Sequence, residues 1–336
     1  MLKRVKTKSL ATALVSVALS ISTTTASADI LAMGGNPAGS LFYAQAQAIA
    51  ATVGKHTNMR VDVLPQSGTA YFPMFMTGEV DVGIASPIEA KLAFNALETF
   101  EGANNGAGYD MKTIMLGSPI RLSLVTREDS GIDSLKELKG KRVVADYGAF
   151  AGATLTARSV LANAGLTTDD VQVVAVSSYP EGVRAVMEGR ADAAVGSLGS
   201  GILQELDAAV GAKMLEIDPS SEAMARTKEV GEAFVPLLVD KGPVGIDDDT
   251  HVLSYSTTIY ARPELEDKKV KKFIEALWEN YEELPAIHRS LTTWTPDRFA
   301  NTDAVIPYHP AAVNFYREKG VWDKELEARQ AKLSEE

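Results

Sequence analysis

Nine residues of this chain recur 111 positions further on. Gly78-Glu79-Val80-Asp81-Val82-Gly83-Ile84-Ala85-Ser86 returns as Gly189-Arg190-Ala191-Asp192-Ala193-Ala194-Val195-Gly196-Ser197. In both copies a helix is expected to stop at the glycine, an aspartate opens an apolar strand, and a serine stands at the strand's carboxyl end. The same offset carries 30–33 onto 141–144, Asn36 onto Tyr147, Ser40 onto Ala151 and 66–68 onto 177–179. A glycine and an aspartate ahead of an apolar strand are common in α/β proteins, so one match alone carries little. Several loops in register at one offset read as a duplicated layout, and hence as two similar α/β lobes. In open parallel sheets ligands sit beyond the carboxyl ends of the strands. Two such edges facing each other enclose a small molecule.

The stretches between these anchors alternate strand and helix. Strands are predicted over 30–33, 60–64, 80–85, 142–145, 171–176 and 191–195, with helices after the first turn and over 69–77, 88–96, 154–164, 180–188 and 202–210. Thr113 to Leu116 and Leu122 to Thr126 are two further β-prone stretches, and 102–110 is Gly/Asn-rich and reads as a loop. The alternation predicts parallel sheets covered on both faces.

The first turn, Gly34-Gly35-Asn36-Pro37-Ala38-Gly39-Ser40, joins an apolar run to a helix whose Phe42, Ala46, Ile49, Ala50 and Val53 share one face. Its glycines let a ligand approach the backbone, and a helix start offers unpaired N–H groups and a positive dipole end. Neither nucleotide motif fits. A phosphate-binding loop needs Lys where Ser40 stands, and Gly34 and Gly35 are adjacent rather than spaced as in a dinucleotide fingerprint.

Ahead of this turn, Lys3, Arg4, Lys6 and Lys8 precede an apolar run from Leu10 to Ile21 and an A-x-A site at 26–28. This reads as a cleavable leader over 1–28, with a mature chain starting near Asp29 and a periplasmic destination. The run is short for a span of about 20 residues. The chain has no cysteine, so neither a lipid anchor on a cysteine nor a disulfide is available. Loss of the leader takes the formal charge from −11 to −15, because it holds four of the basic residues and no acidic one. Such acidity repels phosphate backbones, so nucleic acid is not an expected partner.

Past residue 250 the pattern changes. A β-branched stretch over 251–261 is followed by an amphipathic helix over 266–284 and a helical tail punctuated by Trp294, Pro307, Pro310 and Trp322. A return segment of this kind packs on the first lobe and leaves two chain crossings, near 118 and 255. Lobe I is expected to hold 29–118 with 256–336, and lobe II 119–255, with the crossings as a hinge.

Several motifs give this layout a family likeness. They are the first turn running into Phe42-Tyr43, Gln66-Ser67-Gly68-Thr69, Gly78-Glu79-x-Asp81 and the stretch from Asp129-Ser130-Gly131-Ile132 to Lys141-Arg142-Val143. Ala261-Arg262-Pro263, Pro307-Tyr308-His309-Pro310-x-Ala312 and Gly320-Val321-Trp322 complete them. On these motifs the chain resembles the TAXI-type solute-binding proteins of tripartite ATP-independent periplasmic (TRAP) transporters over nearly all of its mature length. The resemblance implies a two-lobe class II periplasmic binding protein that hands a small, often carboxylated solute to a TRAP-type membrane permease. The second-lobe loop departs from the family pattern: Ala151 and Ala153 stand where two hydroxyl residues are usual, flanking Gly152. Either backbone N–H groups alone hold an anion there, or that wall faces a less polar part of the ligand. A binding subunit of an ABC importer or of a sensor is the alternative, and a secreted hydrolase a more distant one.

The candidate ligand contacts are Asn36, Gly39, Ser40 and Tyr43 at the first turn, then Gln66, Ser67, Gly68, Ser86 and Ser197 where strands end. Each serine serves equally as a helix cap, Asn36 as a turn former and Tyr43 as core. Arg121, beside the first crossing, could neutralise an anion or form a surface ion pair. Tyr147, Phe150, Gly152 and Tyr179 form the expected wall of lobe II, with ordinary packing as the rival reading. No catalytic residue, metal site or cofactor is expected. His56, His251, His288 and His309 lack a zinc spacing, and Asp247-Asp248-Asp249 lacks an EF-hand pattern. A monomer serving a small organic anion is the expected form.

Overall fold

The computed structural model describes residues 29–148 and 150–335. The predicted leader, and the cleavage site within it, lie outside the described residues.

In chain order the elements are β1 (Asp29–Gly34), α1 (Leu41–His56), β2 (Met59–Leu64), α2 (Gly68–Thr77), β3 (Val82–Ala85), α3 (Pro87–Phe94) and β4 (Lys112–Arg127). Then come β5 (Arg142–Asp146), α4 (Ala151–Asn163), β6 (Gln172–Ala175), α5 (Tyr179–Met187), β7 (Ala194–Ser197), α6 (Gly201–Val210), β8 (Ala212–Met214), α7 (Ser221–Val230) and β9 (Val235–Val239). Last are β10 (Thr250–Ala261), α8 (Asp267–Asn280), α9 (Leu284–Ile287), α10 (Pro310–Glu318) and α11 (Lys324–Glu335). The fold is a two-lobe α/β architecture.

Its main sheet runs β2-β1-β3-β10-β4-β7, with β8 also on β4 and β9 on β10, and β5 and β6 form a second, parallel sheet. Strands β1, β2 and β3 are parallel, as the alternation predicts. The sheet as a whole is mixed, which corrects that expectation. β10 returns from the second lobe and so lies antiparallel to β3 and to β4. The two β-prone stretches at 113–116 and 122–126 are one strand, because Gly117-Ser118-Pro119 stays extended beside β10. These two long strands pair from Lys112–Ala261 to Leu122–Leu253, with register shifts at 256–258 and at 259–260.

The duplicated motif makes the same contacts twice. Asp81 Oδ2 accepts the Ala32 N–H at 3.0 Å, and Asp192 Oδ2 accepts the Arg142 N–H at 2.8 Å. Each carboxylate thus pins a strand start in its own half, and each has an arginine beside it, Arg262 at 3.0 Å and Arg142 at 2.6 Å. Around the second strand pair the sequence offset slips by one residue, since Ala32 corresponds to Arg142. The pairs β1–β3 and β5–β7 correspond accordingly, the latter reduced to a parallel bridge between Val143 and Ala193.

The apolar face of α1 is buried as its spacing predicts, with Phe42, Ala46, Ile49, Ala50 and Val53 all inside. The long helix after residue 266 stops at Asn280, short of Leu284. A 3-10 turn over 281–283 leads into α9, where Pro285 has no N–H to continue the ladder. The tail packs on the start of β4: the Thr113 N–H donates to Pro307 O at 2.9 Å and the His309 N–H to Thr113 O at 2.8 Å.

Candidate functional site

The first turn is shaped by packing before it can be shaped by a ligand. A Cβ on Gly34 would fall 2.4 Å from the Tyr71 ring, and one on Gly35 would fall 2.4 Å from Val63, so both glycines make room for neighbouring side chains. Asn36 takes a left-handed φ of 65° and its Nδ2 donates to Ile84 O at 2.9 Å, which ties the turn to the end of β3. Ser40 then caps α1, its Oγ accepting the Tyr43 N–H at 3.2 Å. Ser86 caps α3 in the same way through the Ile88 N–H, also at 3.2 Å. A cap hydroxyl that accepts from the backbone keeps its own proton for another partner.

Between the two halves of the fold lies a small cavity of about 30 Å³. Lobe I contributes Ser40, Leu41 and Phe42 from the start of α1, and Ser86 and Glu89 from α3. The crossing strands contribute Ile120, Leu122 and Tyr255. Facing them are Phe150, Gly152, Ala153 and Thr156 at the start of α4, with Tyr179, Val195 and Ser197. Three helix starts therefore converge on the cavity and bring the positive ends of their dipoles. The start of α4 has Phe150 at its cap position and no side-chain hydrogen bond there.

Of the fourteen residues expected at the site, Ser40, Ser86, Phe150, Gly152, Tyr179 and Ser197 line this cavity. The others do not. Asn36 is buried as a turn former. Gly39, with φ 91°, carries a carbonyl that accepts the Ile202 N–H of α6 at 3.4 Å. Tyr43 is half-buried and Gln66 exposed. Ser67 stands at the start of α2 without a side-chain cap, and Gly68 follows it. Tyr147 is fully buried, its hydroxyl accepting the Val195 N–H at 2.7 Å. Arg121 is off the cavity because successive strand residues point to opposite faces, and Ile120 and Leu122 take the inward one. Burial lowers its pKa, and no side-chain hydrogen bond or ion pair reaches it among the described residues.

The residue that sequence reading missed is Glu89. It stands three positions after Ser86, where S-x-x-E before an apolar run signals a capping box. Instead of reaching back to the cap, the side chain turns inward, and Thr69 Oγ1 donates to its Oε1 at 3.3 Å. Burial raises its pKa to about 7, an effect that the hydrogen bonds from Thr69 moderate. Tyr179 is pushed up to about 12, again by burial, while its hydroxyl accepts the Ser197 N–H at 3.0 Å and meets Ser200 Oγ at 2.9 Å. Ser197 Oγ is buried with no hydrogen-bond partner among the described residues. The cavity lining contains no lysine, arginine or histidine among the described residues. Such a site can enclose an apolar body and offer hydroxyls, amides and one carboxyl.

The sequence model of the NMT1-like family matches residues 33–320. MatC from Rhodopseudomonas palustris, solved with bound malate, is similar in structure, with a TM-score of 0.55 at 12% identity over 91% of this chain and 98% of that one. PhnD1 from Prochlorococcus marinus in complex with methylphosphonate gives 0.51 at 12% identity, over 87% and 99%. A binding protein component of an ABC phosphonate transporter from Pseudomonas aeruginosa gives 0.49 at 13% identity, over 91% and 95%. At these identities the likeness is one of fold.

Proposed function

The chain belongs to the NMT1-like family, and from that premise we propose that it is a solute-binding protein without catalytic activity. It captures a small organic solute between two lobes and delivers it to a membrane importer. The observation that carries this reading is the cavity itself, lined from α1 and α3 on one side and from α4, Tyr179 and Ser197 on the other. Lobe I is taken as 29–118 with 256–336 and lobe II as 119–255, so that β4 and β10 are the hinge. The cavity of about 30 Å³ is smaller than an organic solute, so in this reading the lobes part to admit one. The periplasm is the proposed compartment, resting on the leader-like first 28 residues.

An acid group, which the sequence resemblance implies for the solute, would meet no basic side chain in this lining, only the amides and hydroxyls at the three helix starts. MatC and PhnD1, named above with malate and methylphosphonate, make a small acid a reasonable first probe. A TRAP-type permease as partner rests on the sequence resemblance alone. An ABC importer is the system that the protein from Pseudomonas aeruginosa is described as serving. Transport by proteoliposomes holding one or the other permease, with this protein added outside, separates the two.

The test of binding is a thermal-shift screen of carboxylates, phosphonates, amino acids, amines and neutral analogues. Binding to the folded form alone raises the melting temperature by mass action. One chemical class should do so, and a hit confined to nucleotides or metal ions would overturn the reading.

A further inference from the structure

Glu89 is 2% exposed, and its side-chain hydrogen-bond partner among the described residues is the Thr69 hydroxyl. A buried carboxyl without a cation is costly to keep ionised. Both lobes nevertheless reserve space for it. A Cβ on Gly68 would sit 2.9 Å from its carboxyl carbon and Oε1, and a Cβ on Gly152, across the cleft, 3.1 Å from its Oε2. Both glycines lie in first helical turns at ordinary helical φ, where backbone geometry does not demand glycine and alanine is the better helix former. The lining that it shares is largely apolar, with Phe42, Ile120, Leu122, Phe150 and Val195, and includes Ser197, whose Oγ has no hydrogen-bond partner among the described residues.

We propose that Glu89 is the specificity-determining residue of the cleft and accepts a hydrogen bond from a basic nitrogen, so that the solute is a small organic cation: a protonated amine or ring nitrogen on an apolar body. This rests on the solute-binding reading above and names the chemistry of its ligand. The cation supplies the counter-charge that the lining lacks. The groups facing Glu89 from the elements packed against it are Thr69 and Tyr71 of α2, Tyr255 and Tyr260 of β10, and Gly152 of α4. None of them is cationic, and burial pushes all three phenols up, so they stay neutral. With burial in this arrangement pushing the carboxyl up to about 7, a cation binds its ionised form and must displace a proton at lower pH.

The test uses matched probes on the purified protein: benzylamine, benzyl alcohol and benzoate, with butylamine, butanol and butyrate, each titrated by calorimetry between pH 5 and pH 8. The amines should bind at least tenfold tighter than their alcohols and acids at pH 7.5. Their affinity should rise by about tenfold per pH unit from pH 5 towards 7 and then level off. E89Q, which keeps the shape of the side chain, should melt cooperatively, lose the amine preference and show a flat pH profile. An acid or an alcohol as the tightest probe overturns the proposal, as does an amine affinity that is the same in E89Q, or a panel in which no probe binds. The solute-binding reading is judged separately, by whether the wider screen finds any ligand that closes the lobes.

Discussion

Glu89 couples the cleft to the stability of the fold. Its folded-state pKa of about 7 exceeds the usual carboxyl value of 4.5, so the folded protein retains a proton that the unfolded chain releases. The stability this group contributes is full below about pH 4.5 and is lost as the pH rises through 7. A shift of that size corresponds to about 3 kcal/mol. Glu89→Gln is therefore expected to match the wild type in urea unfolding at pH 4.5 and to exceed it by up to ~3 kcal/mol at pH 8.5. Equal stabilities at pH 8.5 would contradict the buried, cation-free carboxyl. Two of the three cavity serines, Ser197 and Ser40, should differ in their effects. Ser197 Oγ has no partner in the fold, so Ser197→Ala should leave stability within ~0.5 kcal/mol while weakening ligand binding by about 0.5–1.5 kcal/mol. Ser40 caps α1, so Ser40→Ala should also lower stability, by ~1 kcal/mol. Paired melting and binding curves for the two variants check this.

At the scale of elements, the crossing strands depend on one close contact. A Cβ on Gly117 in β4 would fall 2.2 Å from the Trp294 ring, which is fully buried. Gly117→Ala is expected to lower the urea midpoint by the equivalent of ~1–3 kcal/mol, the usual cost of overpacking; an unchanged midpoint would mean that Trp294 gives way freely. Much of the element order was legible because helix and strand periodicities are local. The two aspartates of the repeat were legible because each closes a strand start within its own half. What escaped was non-local. Nothing near residue 117 tells that two β-prone stretches become one strand; its partner lies some 140 residues away in β10. Gly34 read as backbone freedom for a ligand, yet it lies against the ring of Tyr71. Glu89 escaped because its inward turn depends on Thr69 and Gly68 of α2 and on Gly152 of α4, far from it in the chain. Arg121 was placed beside the hinge without a face, and the face excludes it from the cavity.

For the whole molecule, the closed arrangement is fastened at its rim by ion pairs between Arg158 and Glu98 at 3.2 Å and between Lys91 and Glu232. All four side chains are at least a quarter exposed, so each pair is worth no more than about 1 kcal/mol and is screened by salt. Lys91→Ala should therefore shift the balance towards the open form at low ionic strength and do little at high salt. Closure itself has to come from the ligand, which moves the equilibrium only by binding the closed form more tightly than the open one. Small-angle scattering with and without a saturating ligand from the screen measures this directly. The account predicts that the radius of gyration falls on saturation. A radius that does not change on saturation would contradict it.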